Sequence, residues 1–318
     1  MITESEHDNY LHTSDGFSEW LARLFGYIVR GAALVSLALL AWLATIVWQQ
    51  AQPAIQKFGG GFLFSQIWNI GDSVFGAAPY LYGTIISASI ALVLAVPIGI
   101  AVAIITSEDN LLPTKLRTVL AFMVELIAAI PSVIIGLWGI YIMIPAIKPF
   151  QMWLYERFQW LPFFNTEPSG PSMLAAGLIL ALMILPTIAA ISRDILVTVP
   201  PELSSASLSL GATRWETILK VKLPVAVAGI IGAVMLGLGR ALGETMAVTM
   251  VIGNSAQINL SILDPAYTIP AVLANEFAEA LDPLHIGALM YLALILFILT
   301  LAVNMLALLL VKLVERQK

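Results

Sequence analysis

The sequence has no cysteine among its 318 residues. That excludes a disulfide framework and any thiolate metal centre. Its histidines are His7, His12 and His285, too few and too scattered to form a ligand set. Charge is scarce as well. Asp, Glu, Lys and Arg make up 11% of the chain, where soluble domains run near a quarter. No GxxxxGK[ST] segment occurs, so the chain carries no phosphate-cradling loop for a nucleotide. No HExxH segment occurs either. A soluble enzyme, an ATPase and an intramembrane zinc hydrolase are therefore all poor readings.

What the sequence does have is apolar length, with 59% hydrophobic residues. A helix needs about 20 apolar residues to cross the hydrocarbon core. Six runs qualify: Tyr27–Trp48, Tyr80–Ile105, Thr118–Ile147, Met173–Ile191, Leu223–Ile252 and Ile286–Val311. The runs are continuous rather than alternating, which argues against a membrane β-barrel. The expected fold is an all-α polytopic membrane bundle of about six spanning helices. An even count puts both ends of the chain on one side.

The basic residues choose that side. Arg23, Arg30, Lys115, Arg117, Arg193, Arg214, Lys220, Lys222, Lys312, Arg316 and Lys318 flank the runs on the side of the two ends. The opposite loops carry only Lys57, Lys148 and Arg157, and residues 253–285 carry none. The positive-inside rule makes both ends cytoplasmic. The start is polar and acidic, with Glu4, Glu6, Asp8, Asp15 and Glu19, and lacks a basic leader or cleavage site. Residues 1–26 are expected to be a disordered cytoplasmic tail. The first helix and an external loop then occupy 27–78, a core of five spanning helices 79–311, and a short tail 312–318.

Several local features stand out. Pro97 predicts a kink in the second run. The external segment KPFQMWLYERFQWLPFFN reads as an aromatic belt at headgroup level, with a lipid or partner site as the alternative. The segment from Ser192 to Pro224 is polar by comparison with the rest. It reads as two short helices broken at Gly211, with Pro201 in a first turn and Leu203, Ala206 and Leu210 on one face. A solvated loop needs no apolar face, so a soluble partner is expected there.

This loop resembles the cytoplasmic signature of ABC importer permeases: Glu-Ala-Ala, three residues, Gly, nine residues, Ile, one residue, Leu-Pro. Gly211 and the following Ala212 occupy the glycine turn, Val221 the isoleucine position, and Leu223–Pro224 the end. The opening triplet departs, being Ser205-Ala206-Ser207, and Glu202 lies one turn earlier. RALGETMAVTMVIGN at Arg240–Asn254, LANEFAEA at Leu273–Ala280, IPSVIIGLWG at Ile130–Gly139 and LGATRWETI at Leu210–Ile218 narrow the likeness. Together they resemble the C-type subunit of phosphate-specific ABC importer permeases, from about Pro79 to the end. The resemblance implies a type I permease bundle with a cytoplasmic coupling-helix loop in a prokaryotic plasma membrane. It implies a second related permease, two ATPase subunits that bind ATP and Mg, and an extracytoplasmic phosphate-binding protein. This chain would hold no cofactor and bind no nucleic acid.

Within that frame two charged residues matter most. Arg240 and Glu244 interrupt the run Leu223–Ile252. A charge at a helix centre costs about 2.5 to 3.5 kcal/mol on translocon scales. Four residues apart on a helix, the two share a face. Gly232, Gly237, Gly239 and Gly243 would let neighbouring helices close around them. One reading is an ion pair that fixes packing. The other is a polar path in which Arg240 offers its planar donor fork to phosphate and Glu244 partners it between events. Glu125, also in an apolar run, has the same two readings. The last external loop is acidic, with Asp264, Glu276, Glu279 and Asp282, and should repel free phosphate. Delivery by a binding protein removes that difficulty, and Glu276 and Glu279 would then touch it; an ordinary solvated loop is the alternative. The competing functions are a permease for another oxyanion and a secondary anion transporter or channel.

Overall fold

The computed structural model of the chain describes residues 16–108 and 111–315. Its described part is helical, with two isolated β-bridges, Asn69 to Val74 and Gly253 to Ala266, as the only strand-like pairs there. Among the described residues, six helical segments are long and apolar enough to cross a membrane: Trp20–Leu63, Ala78–Ser107, Ser132–Phe158, Met173–Thr198, Arg214–Gly243 and Pro283–Leu313.

The chain divides into two units, Met1–Gln50 and Ala51–Lys318. Helix α1 spans Gly16–Phe58 and belongs partly to each. In the first unit its apolar side chains, among them Leu34, Trp42 and Leu43, are exposed. This corrects the expected tail of 1–26. The helix already begins at Gly16, because apolar residues recur from Phe17 through Trp20, Leu21, Leu24 and Phe25. Residues 1–15 lie outside the described residues.

The second unit is built around α6 (Met173–Thr198), which packs along α2 (Ala78–Ser107). Lipid tails are as apolar as leucine, so close packing rather than water exclusion drives this contact. Small residues carry it. Ala88, Ala91 and Ala95 of α2 are buried with Ile179, Leu180, Met183 and Ile184 of α6. A methyl group on Gly177 would lie 2.4 Å from Ile90 Cγ2. Helix α2 runs on through Pro97. Helix α9 (Leu223–Gly243) packs against both α6 and α2, with Gly237 against Ile188 and Gly229 against Ile195.

Two of the apolar runs are not single helices. The third breaks between α3 (Thr114–Ala129) and α4 (Ser132–Trp138). Pro131 lacks an N–H and forces Ile130 into the extended region, at φ −72° and ψ 127°. The span itself starts at Ser132 and continues through a π-helical turn, Gly139–Met143, into α5 (Ile144–Phe158). The fifth run ends at Gly243, and the chain restarts as α10 (Met246–Val251). Between the spans lie α7 (Pro201–Ser209), α8 (Arg214–Thr217) and α11 (Ile269–Glu276). The last helix, α12 (Pro283–Glu315), includes residues expected in the terminal tail, and 316–318 lie outside the described residues.

Each end of the unit has its own apolar cluster. One holds Phe62, Phe75, Tyr80, Tyr267, Leu289 and Leu292. The other holds Ile104, Leu196, Val199, Ile218, Ala226 and Ile230, beneath α7 and α8.

Candidate functional site

The break after Gly243 separates Arg240 from Glu244. Arg240 stays in the last turn of α9, while Glu244 is extended at φ −70° and ψ 125°. The two residues do not share a helical face, and no ion pair joins them. This corrects the expected one-turn pairing. The cause is local: glycines at 237, 239 and 243 weaken the helix, and the Glu244 carboxylate accepts the N–H of Ala247 at 3.2 Å. That bond helps start α10, whose first N–H groups have no partner within the helix.

Arg240 is exposed on this chain, and Nη1 donates to Thr187 Oγ1 on α6 at 3.5 Å. Its remaining donors are open to an acceptor. A permanently charged fork in an apolar helix, without a carboxylate partner among the described residues, suits an oxyanion. Thr187 was not legible as a site residue; a hydroxyl in LPTIAA was its only sign.

Glu125 lies on α3 rather than on a spanning helix, and is exposed. It lines a cavity of about 460 Å³ with Arg117, Thr118 and Phe122 of α3, Thr106 of α2, and Arg193 of α6. It forms no ion pair with Arg193.

The segment between α6 and α9 presents a turn that only glycine fits comfortably. Gly211 has φ +85°, a left-handed conformation, and its N–H donates to Leu208 at 3.0 Å. Ala212 N–H donates to Ser207. Around this turn Leu203, Leu208, Leu210 and Trp215 are exposed, Leu210 at 89%, so the apolar surface has no cover among the described residues. Glu202, Ser205 and Ala206 are exposed beside it. Ser205, at the position of the motif glutamate, donates to the Pro201 carbonyl at 3.1 Å. Ser207 and Thr217 share a hydrogen bond of 3.0 Å, tying α7 to α8. Thr213 and Glu216 form a capping box that starts α8, a signature visible in TRWE. Val221 and Leu223 lie partly buried in the π-helical turn Ile218–Lys222 and at the start of α9, and Pro224 is in the first turn of α9. Lys222 pairs with Glu108 beyond α2, a contact no local pattern announces.

At the opposite end, Glu276 is held by contacts within the chain. Its Oε2 accepts Trp68 Nε1–H at 2.9 Å and sits 3.0 Å from His285 Nε2. Phe75 stacks on His285. Glu276 thus joins the segment between α1 and α2 to α11 and α12. Burial pushes the Tyr267 phenol up, opposed by its hydrogen bond from Asn275. Glu279 is exposed, next to Leu281 at 91%.

Comparison with known proteins gives this arrangement a family. Residues 95–318 match the model of the binding-protein-dependent transport system inner membrane component. The phosphate transport system permease protein PstC of Mesorhizobium japonicum is 42% identical over 87% of this chain and 86% of its own. That of Haemophilus influenzae is 40% identical over 94% of this chain and 92% of its own. Among solved structures, a bacterial ABC transporter involved in alginate import superposes with a TM-score of 0.53 at 17% identity, covering 90% of this chain and 98% of the other. The inward-facing MetNI methionine ABC transporter gives 0.52 at 19% identity, covering 73% of this chain and 91% of the other. At such identities the structures speak for the fold alone: a multi-pass helical bundle of ABC importer permeases. The chain belongs to the family of binding-protein-dependent transport system inner membrane components.

Proposed function

We propose that this chain is a permease subunit of an ATP-driven phosphate importer, receiving inorganic phosphate from an extracytoplasmic binding protein and passing it to the cytoplasm. The observation that carries the reading is Arg240: an exposed guanidinium in an apolar bundle, oriented by Thr187 and unpaired with Glu244. The substrate comes from the relatives, whose names state phosphate transport over most of the chain. A second related permease would complete the path beside Arg240. Two ATPase subunits, with ATP and Mg, would drive it, one of them covering Leu203, Leu208 and Leu210. A self-contained carrier has no use for that exposed face, which favours the importer over a secondary transporter. The basic flanks favour an orientation with both ends of the chain on the cytoplasmic side of a prokaryotic plasma membrane.

The test is reconstitution with the candidate partners in proteoliposomes, following ATP-dependent uptake of labelled phosphate against excess sulfate. Uptake that sulfate does not suppress is the expected result. Suppression by sulfate would move the substrate to another oxyanion, and uptake without ATP or partners would make the chain a secondary transporter.

A further inference from the structure

The third span, Ser132–Phe158, is 27 residues long. At 1.5 Å per residue a helix of that length runs about 40 Å, roughly 10 Å more than the hydrocarbon core. Counted from Ser132, its last two turns stand at headgroup level. They carry Phe150, Trp153 and Arg157 on one face, at spacings of three and four residues, and all three are exposed. Trp160, in the turn that follows, is 74% exposed.

These rings are held in place from behind. Trp153 stacks on Phe150 at 5.9 Å and meets Phe158 edge-on at 5.7 Å. The Phe163 carbonyl accepts the Ile262 N–H at 3.0 Å, which ties the turn after α5 to the segment between α10 and α11. Apolar rings with one polar edge, fixed at the end of a long span, suit the boundary between lipid and water.

The charges narrow the ligand. Glu156 and Arg157 are adjacent and exposed, and neither forms an ion pair among the described residues. Two other cations belong to this side of the sequence. Lys57 is occupied, since Nζ donates to the Ser73 carbonyl at 3.0 Å and lies over the Phe58 ring. Lys148 is nine residues before Arg157, about 14 Å nearer the bilayer centre. Arg157 is thus the guanidinium at headgroup level, and its planar fork matches phosphate oxygens. Glu156 beside it matches an ammonium. A headgroup carrying both groups answers both charges, whereas one carrying phosphate alone sets its negative charge against Glu156. A protein surface covering this face would have to desolvate both charges and pair each of them.

We propose that the end of α5 holds the headgroup of an amine-bearing phospholipid, with its phosphate on Arg157, its ammonium on Glu156, and Trp153 and Trp160 beside its acyl chains. The site anchors the end of the third span in the leaflet it reaches. It goes beyond the importer reading and does not depend on the substrate.

The full chain, purified in detergent with the subunits that accompany it, is titrated with phosphatidylethanolamine or phosphatidylglycerol. Bound lipid is counted by native mass spectrometry. Arg157→Gln should weaken phosphatidylethanolamine binding about tenfold or more, the loss of a charge-assisted contact. Glu156→Gln should weaken phosphatidylethanolamine and strengthen phosphatidylglycerol, a change of preference that misfolding does not produce. Equal phosphatidylethanolamine binding by wild type and Arg157→Gln would overturn the site, as would a lipid preference that Glu156→Gln leaves unmoved. Loss of a protein subunit from Arg157→Gln, with the lipid count unchanged, would overturn it in favour of a protein contact.

Discussion

Lys222 and Glu108 form an ion pair between the start of α9 and the chain just beyond α2, with side chains only 17% and 19% exposed. The contact joins the segment beneath α7 and α8 to the helix packed along α6. Removing one partner leaves the other charge partly buried and unpaired. Lys222→Met or Glu108→Gln should each destabilise the chain by roughly 1–3 kcal/mol. The double variant carrying both changes should lose less than the sum of the two single losses in a double-mutant cycle of thermal unfolding in detergent. Additive losses would deny the coupling.

Gly211 sets the turn between α7 and α8 at φ +85°. A side chain in that conformation costs about 1–2 kcal/mol, less for asparagine. Gly211→Val should therefore reduce co-purification of the ATPase subunit more than Gly211→Asn does. Equal retention by both would mean that the turn does not shape the docking surface.

The packing glycines can be ranked. A methyl group on Gly83 would meet the Tyr267 carbonyl oxygen at 2.2 Å, a backbone atom that cannot rotate away. One on Gly232 would meet nothing within 4 Å. Gly83→Ala should lower the unfolding temperature by several degrees, reflecting about 1–3 kcal/mol of overpacking. Gly232→Ala should raise or hold it. The reverse order would contradict the packing described for α2.

Glu276 and Glu279 are close in sequence and differ in environment. Glu276→Leu leaves Trp68 N–H and His285 without their acceptor and should destabilise the chain by about 1–3 kcal/mol. Glu279→Gln, at an exposed position, should change stability by less than about 0.5 kcal/mol. Comparable unfolding temperatures for the two variants would remove the structural role given to Glu276.

Much of this bundle was legible in the sequence because membrane spans are long and their signal is local. Six apolar runs correspond to six spanning segments. The two short helices between α6 and α9 were equally plain, since Pro201 and Gly211 act on their own residues. The errors came where a short-range conflict interrupts an apolar run. Pro131 splits the third run, and the glycines before Glu244 end α9 early, so a spacing of four residues no longer means one face. Contacts across the fold were out of reach. Nothing near Lys222 announces Glu108, and nothing near Glu276 announces Trp68. Arg240 was visible as an expensive charge, but its orientation by Thr187 depends on how α9 packs against α6.

The most direct test of the account is phosphate uptake by assembled complexes carrying Arg240→Gln, Glu244→Gln or Glu125→Gln. With Arg240 as the oxyanion donor, Arg240→Gln should abolish uptake while all subunits still co-purify. Glu125→Gln should cost less. Glu244→Gln should also cost less, because a glutamine oxygen can still accept the Ala247 N–H. Normal uptake by the assembled Arg240→Gln complex would contradict the central claim and make that arginine a packing residue.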